Sequence, residues 1–255
     1  MLKVAIMIPT YNELESIKKI LDGIRQINLP EIELRVLVID DNSPDKTAEL
    51  VDSFNYENVD ILRRPMKEGL GNAYKAGIKH LLMDHSVTHL VSMDADGSHQ
   101  VEDLEKMLEV AASNPDASLI LGSRWVPGGK VVNWPFHRKW LSQAGTKFAK
   151  WALKMNINDL TGGFRIYPRW MLEQLDLRQI TSNGYCYQIE MAFAIAHLQA
   201  RVKEPVIEVP ITFVEREFGN SKMSQRIVLE AMLQVTRWGL VMRLDPAADK
   251  LHYVK

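Results

Sequence analysis

His89-Leu90-Val91-Ser92-Met93 runs straight into Asp94-Ala95-Asp96-Gly97-Ser98, a short apolar segment ending on two carboxylates two positions apart. A run of this length, closed by a glycine-containing turn, predicts a buried strand with an acidic loop at its carboxyl end. Outward from it the same unit repeats. Residues 4–8, 34–39, 59–62 and 117–121 are further short runs rich in β-branched and aliphatic side chains. Between them, residues 13–27, 44–54, 72–83 and 101–112 carry helical periodicity. Strands that are apolar on both faces, alternating with amphipathic helices, predict an α/β fold: a Rossmann-like, mostly parallel sheet with helices on both faces. Ligands of such sheets bind just beyond the carboxyl ends of the strands.

The residues at those ends are polar in a consistent way. The first strand leads into Pro9-Thr10-Tyr11-Asn12-Glu13 and the second into Asp40-Asp41-Asn42-Ser43-Pro44-Asp45. Carboxylates at Asp40 and Asp41 can accept from ribose hydroxyls or from the N–H groups of a base. Tyr11 and Glu13 can stack on and hydrogen-bond that base, with main chain around Pro9 and Ile39 as its rim. Asp94 and Asp96 would repel each other unless a cation lay between them. A hard divalent ion, Mg²⁺ or Mn²⁺, binds through one or two carboxylates plus substrate phosphates, as in a nucleoside-diphosphate site. A solvated turn with helix-capping acids is the plainer reading of a lone pair. The apolar run before the acids, and two further acidic loops on the same edge, weigh against it. Neither a dinucleotide fingerprint nor a P-loop is present.

With 255 residues, 46% hydrophobic and 25% charged, and a formal charge of -1, the chain has no global attraction for a polyanion, so nucleic acid is not an expected partner. Cys186 is the sole cysteine, which excludes an intramolecular disulfide and fits a reducing compartment. It opens an apolar, helix-like run and reads as a buried, inert thiol. The apolar part of the N-terminal segment is too short for a signal peptide. No run reaches the ~18–20 apolar residues that span a bilayer. The nearest, residues 227–242, is interrupted by Glu230, Gln234 and Arg237.

Local charge is more informative. Residues 117–158 contain no acidic side chain, yet hold Arg124, Lys130, Arg138, Lys139, Lys147, Lys150 and Lys154, with Trp125, Trp134, Trp140 and Trp151. On a helix begun near Pro135, Trp140, Ala144, Phe148, Trp151 and Met155 recur at helical spacing, flanked by the lysines. That pattern predicts a helix lying in a membrane interface. The plainer alternative packs the stripe on the sheet. Further on, Glu215-Arg216-Glu217-Phe218-Gly219-Asn220-Ser221-Lys222 is a glycine-containing turn before a helix. Arg216, Ser221 and Lys222 there can hold a diphosphate through cations and backbone N–H groups. The helix that follows, residues 223–243, is apolar over most of its surface, so it either docks in the core or lies half in lipid.

Taken together, PTYNE, DDNSPD, MDADGSH, GSRWVPGG, NWPFHRKW and FGNSKMS resemble family-2 glycosyltransferases of the dolichol-phosphate-mannose synthase type, over about residues 3 to 243. The resemblance implies a GT-A fold with C-terminal amphipathic helices. It implies one catalytic domain over residues 1–243, with a nucleotide-binding half (1–122), an acceptor- and membrane-facing half (123–243) and a tail (244–255). Pro9, Tyr11, Glu13, Ile39, Asp40 and Asp41 would hold the guanosine of GDP-mannose. Asp94 and Asp96 would hold Mg²⁺ or Mn²⁺, with Ala95 and Ser98 alongside. Arg124 and Arg138 would face donor and acceptor phosphate with Ser221 nearby, and Arg216 and Lys222 would clamp phosphates. Asp96, Arg124 and Arg138 would carry the catalysis. Relatives can carry an amide at the position of Ser98, and some have membrane spans after the catalytic domain. Without spans, the chain would be peripheral on the cytoplasmic face of the membrane, or borrow an anchoring partner protein.

The expected reaction moves mannose onto a polyprenyl monophosphate with inversion. It needs no carboxylate base, because a phosphate monoester, with a second pKa near ~6, is largely dianionic at neutral pH. Two other donors, UDP-glucose and UDP-N-acetylglucosamine, fit the same acceptor chemistry. A saccharide-elongating transferase and a non-catalytic membrane-surface module are the remaining alternatives.

Overall fold

The computed structural model describes residues 1–182, 184–202, 204–215, 225–244 and 253. The five expected strands are β1 (Leu2–Thr10), β2 (Ile32–Asp40), β3 (Val59–Arg63), β4 (His89–Ser92) and β5 (Leu119–Ser123). Helices α1 (Ile17–Gln26), α2 (Thr47–Ser53), α3 (Leu70–Leu81) and α4 (Val101–Ser113) fill the intervals between them. Two helices start later than periodicity alone predicts, because loop side chains claim their first residues. Asp45 accepts from the Thr47 N–H and hydroxyl, and residues 13–16 form a turn in which the Glu13 carbonyl accepts from Ser16 and Ile17.

The period of two explains why the strands are apolar throughout. Val4, Ile6 and Ile8 of β1 enter one core with Val36 and Val38 of β2, under α1 and α4. Ala5 and Met7 enter the opposite core with Leu37 and Ile39, under α3. The central residues of β1 and β2 are therefore buried on both faces, as a helix-covered parallel sheet requires.

Beyond β5 the chain forms β6 (Lys130–Val132), α5 (Phe136–Leu153), β7 (Arg165–Pro168) and α6 (Arg169–Gln174). It continues through α7 (Gly184–Val202), β8 (Val206–Pro210), β9 (Thr212–Val214) and α8 (Gln225–Leu244). A seven-stranded sheet has the order β3-β2-β1-β4-β7-β5-β8, and β6 pairs with β9 separately. β7 lies antiparallel between β4 and β5, while the other pairings in the large sheet are parallel. Periodicity does not reveal β7: it is four residues long and carries Arg165. That arginine is fully buried and donates to the carbonyls of Gly162, Gln188 and Leu160 at 2.9, 2.8 and 3.0 Å. Cys186 is buried within α7.

Helix α5 leaves the tryptophans of its stripe outside, although Phe148 of the same stripe packs against the core. Its inward face is small, comprising Ser142, Thr146, Ala149 and Ala152 with Leu153. Against it lie Val235 and Trp238 of α8. Gly239 lets the two helices meet, since a Cβ there would stand 2.8 Å from the Ala152 carbonyl. Met155, the last residue of the expected stripe, is buried at the end of the helix. Phe136, Trp140 and Trp151 instead stay 81, 62 and 66% exposed. Met232, Leu233, Leu240 and Val241 of α8 are exposed as well, so α8 both docks in the core and presents an apolar outer side. No carboxylate among the described residues pairs with Lys139, Lys147 or Lys154. None of the described helices is long and apolar enough to cross a membrane.

Candidate active site

The loops after β1, β2 and β4 meet over the carboxyl edge of the sheet around a cavity of about 290 Å³. Pro9, Tyr11, Glu13 and Asp41, from the loops after β1 and β2, line it together with Asp94, Ala95 and Asp96, from the loop after β4. Ile39 and Asp40 stand behind that wall. The Ile39 side chain is core, where a Cβ on Gly77 would meet it. The Asp40 carboxylate accepts from the hydroxyls of Thr10 (2.9 Å) and Ser43 (2.6 Å) and from the Ser43 N–H (2.9 Å). Its charge shapes the loop, and Asp41 is the carboxylate left facing the cavity.

Asp41 is nearly buried beside Arg64, at 2.5 Å, and Arg64 also donates to Glu68 at 2.6 Å. Burial is the larger influence and pushes the Asp41 carboxyl above its usual range, with the Arg64 guanidinium pulling the other way. Lys67 sits 3.6 Å from the centre of the Tyr11 ring and lines the same cavity. Sequence reading misses Lys67, because a single lysine in a loop between β3 and α3 carries no pattern.

Asp94 and Asp96 are held by their own loop. The Asp94 N–H donates to His99 Nδ1 at 3.0 Å, and the Asp96 carboxylate accepts from the Ser98 N–H at 3.1 Å. Burial lowers the His99 pKa, so the ring is neutral and Nδ1 is free to accept. Ser98 is 1% exposed, and its hydroxyl is buried with no hydrogen-bond partner among the described residues. A buried orphan hydroxyl beside two carboxylates fits a site completed by an ion and its water. Among the described residues, no three His, Cys, Asp or Glu side chains are gathered to hold an ion unaided. That suits Mg²⁺ or Mn²⁺, which take one or two carboxylates and draw their remaining ligands from phosphate and water.

Asp94, Asp96 and Ser98 also border a smaller recess of about 60 Å³, lined on its far side by Arg124, Trp134 and Arg138. Both arginines have carboxylate partners from outside the acid-free window. Arg124 is gripped by Asp159, with Nε donating at 2.7 Å and Nη2 at 2.6 Å, and its main-chain N–H donating at 3.0 Å. Arg138 pairs with Glu215. Arg124 is packed about 5.3 Å from the Trp134 and Phe213 ring centres, and Arg138 lies 4.7 Å from that of Trp134. Two N–H donors of this wall, Trp134 Nε1 and Arg138 Nε, are buried without an acceptor among the described residues. Arg216, Ser221 and Lys222 lie outside the described residues.

Residues 5–176 match the model of the family described as Glycosyl transferase family 2. The undecaprenyl-phosphate mannosyltransferase of Micrococcus luteus is 47% identical over 252 residues, 98% of this chain and 99% of that protein. The polyprenol monophosphomannose synthase of Mycolicibacterium smegmatis is 42% identical, over 95% of this chain and 89% of its own. The dolichol-phosphate mannosyltransferase of Pyrococcus furiosus is 32% identical over 98% of this chain and 66% of its own. Among solved structures, glucosyl-3-phosphoglycerate synthase from Mycobacterium tuberculosis, in complex with Mn²⁺, uridine-diphosphate-glucose and phosphoglyceric acid, gives a TM-score of 0.65 at 15% identity. That match covers 94% of this chain and 79% of the other, and the likeness is one of fold. The expected GT-A architecture is borne out.

Proposed function

The chain belongs to glycosyl transferase family 2, and on that premise we propose that it carries mannose from GDP-mannose onto a polyprenyl monophosphate at the cytoplasmic face of a membrane. One observation carries the acceptor assignment. Trp134 Nε1 and Arg138 Nε are buried donors without acceptors among the described residues, on the wall of a recess that borders Asp94 and Asp96. Neither group can accept a hydrogen bond, so only an acceptor-rich ligand satisfies both, and a phosphate offers several acceptor oxygens. The mannosyl and polyprenyl-phosphate terms in the relatives' names agree with that chemistry.

In this reading the nucleoside lies at Asp41 and Tyr11 and the diphosphate at the Asp94–Asp96 loop. Asp94, Asp96 and Ser98 would hold Mg²⁺ or Mn²⁺, which offsets the charge gathering on the leaving diphosphate. Arg138 and Trp134 orient the acceptor phosphate, and Glu215 yields Arg138 to it. A phosphate oxygen bonds to the anomeric carbon as the bond to the diphosphate breaks, which inverts the α-linked donor to a β-mannosyl phosphate. No side chain removes a proton, because the acceptor is already ionised. Incubating the protein with labelled GDP-mannose, Mn²⁺ and a polyprenyl phosphate should move label into the organic phase. Label that moves from UDP-glucose or UDP-N-acetylglucosamine instead would replace the donor.

Asp41→Asn should weaken GDP binding by roughly 10- to 100-fold, the scale of a hydrogen bond to a charged group. The amide keeps an acceptor for Arg64, so the fold should hold. In the wild type, GDP affinity should fall as pH drops through the raised Asp41 pKa, because the protonated carboxyl accepts less well. Calorimetric titration of both proteins checks this, and unchanged affinity would remove Asp41 from the nucleoside site.

The exposed rings of α5, the outer residues of α8 and the neighbouring lysines support direct contact with the lipid surface that carries the acceptor. Each lysine near an anionic surface contributes ~1 kcal/mol, so Lys139→Glu with Lys147→Glu should cut vesicle binding by about 30-fold or more. Co-sedimentation with anionic vesicles at rising salt measures it. Binding indifferent to both salt and charge would turn this surface over to a protein partner.

A further inference from the structure

Tyr74 lies on α3 with 1% of its surface exposed, its ring stacked on that of Tyr187 in α7 at a centroid distance of 6.0 Å and an interplanar angle of 8°. Glycines three positions to either side of it share its helix face. A Cβ on Gly71 would stand 2.9 Å from the Ser182 carbonyl and 2.9 Å from Tyr187 Cδ2, and one on Gly77 would run into Ile39 Cδ1. Approach this close at both glycines seats α3 firmly and fixes where the phenol between them ends.

It ends at the acidic loop. Among the described residues the Tyr74 hydroxyl has one hydrogen-bond partner, donating to Asp94 Oδ1 at 3.3 Å. Asp94 does not need that bond to be solvated, because its side chain is 30% exposed and water can take the place of the phenol. What water cannot do is hold the carboxylate in one orientation beside Asp96, whose like charge repels it. The Asp94 N–H is fixed on His99 Nδ1, and Tyr74 pins one oxygen of the side chain as well.

From this geometry we propose that Tyr74 is a positioning residue for the divalent ion: its hydroxyl sets the Asp94 carboxylate in the free protein, so that the ion meets an oriented ligand. The proposal rests on the reading of Asp94 as a ligand of Mg²⁺ or Mn²⁺. A phenol suits the task because it is a neutral donor, which orients the acid without cancelling the charge that attracts the ion. A tyrosine serving only the core would be content with any acceptor, and its hydroxyl would show itself in stability alone.

Mn²⁺ binding at saturating GDP, read from the paramagnetic resonance signal of the ion, should be compared in the wild type, Tyr74→Phe, Tyr187→Phe and Asp94→Asn, and each protein melted without ligand. Tyr74→Phe should need roughly tenfold more Mn²⁺ for half-saturation. It should regain most of the wild-type transfer rate at saturating Mn²⁺ and melt within a few degrees of the wild type. Tyr187→Phe takes a hydroxyl from the same stacked pair and should bind Mn²⁺ as the wild type does. Unchanged Mn²⁺ binding by Tyr74→Phe, equal weakening in Tyr187→Phe, or a larger fall in the melting temperature of Tyr74→Phe would overturn the proposal. Asp94→Asn should weaken Mn²⁺ binding further. If it does not, the ion is held elsewhere, and the reading of the metal site fails together with the proposal. Weakening in Asp94→Asn without weakening in Tyr74→Phe defeats the proposal alone. Should the wild type bind UDP in place of GDP, the donor reading fails, and the same series is read with UDP.

Discussion

Asp96→Asn should reduce transfer by roughly a thousandfold while leaving the melting temperature unchanged. The asparagine keeps an oxygen to accept from the Ser98 N–H, so the loop that Asp96 closes on itself is preserved. What it loses is one of two negative charges on the edge shared by the two cavities. A divalent ion at a reacting phosphate contributes several kcal/mol of charge stabilisation, and each ~1.4 kcal/mol is about tenfold in rate. The check is a rate measurement across a Mn²⁺ titration, with GDP binding followed in the same series. Metal dependence of GDP binding should weaken with the rate. Wild-type turnover at saturating Mn²⁺ would show that Asp96 is no ligand, and the orphan hydroxyl of Ser98 would then need another account.

Asp159→Ala is expected to have the largest effect on stability. Asp159 has no exposed surface and answers five donors: Arg124 three times, the Gly162 N–H at 3.1 Å and, more distantly, the Thr161 hydroxyl at 3.4 Å. Removing it strands a guanidinium that is itself 5% exposed among aromatic rings. Breaking a buried pair from one side costs about 3–5 kcal/mol, most of it the uncompensated charge. For a chain of this size each kcal/mol moves the melting temperature by about 2–4 °C. A fall on the order of 10 °C should therefore appear in thermal unfolding. Converting both partners, Arg124→Met with Asp159→Leu, should recover much of it, since neither charge then remains. A double variant no more stable than Asp159→Ala would mean that the aromatic packing around Arg124, and not its charge, carries the stability.

The same pair marks where sequence reading stops. The absence of acids from residues 117–158 made Arg124 and Arg138 look like unpartnered cations awaiting phosphate. The fold supplies each with a carboxylate from a distant segment: Asp159 one position past the window and Glu215, 77 positions beyond Arg138. Charge windows report composition along the chain and cannot report neighbours across it. Lys139 and Lys147 of α5 and Lys154 just after it are exposed, and no carboxylate among the described residues pairs with them.

Much of the architecture was determined by the sequence alone. Strands buried on both faces must be apolar at every position, and that demand is visible residue by residue in β1, β2, β4 and β5. Their polar ends then mark the ligand edge, and Tyr11, Glu13, Asp41, Asp94 and Asp96 do gather there. Only the tertiary structure decided which of two adjacent acids faces the cavity. Asp40 turns into its own loop and Asp41 does not, a difference set by where the Thr10 and Ser43 hydroxyls fall. It also decided that α5 buries its small face and leaves its tryptophans outside. Both faces of that helix have a helical period, and periodicity alone cannot rank them. Close approach to α8 at Gly239 admits only the small side chains, so backbone proximity, a property of the folded chain, settles the choice.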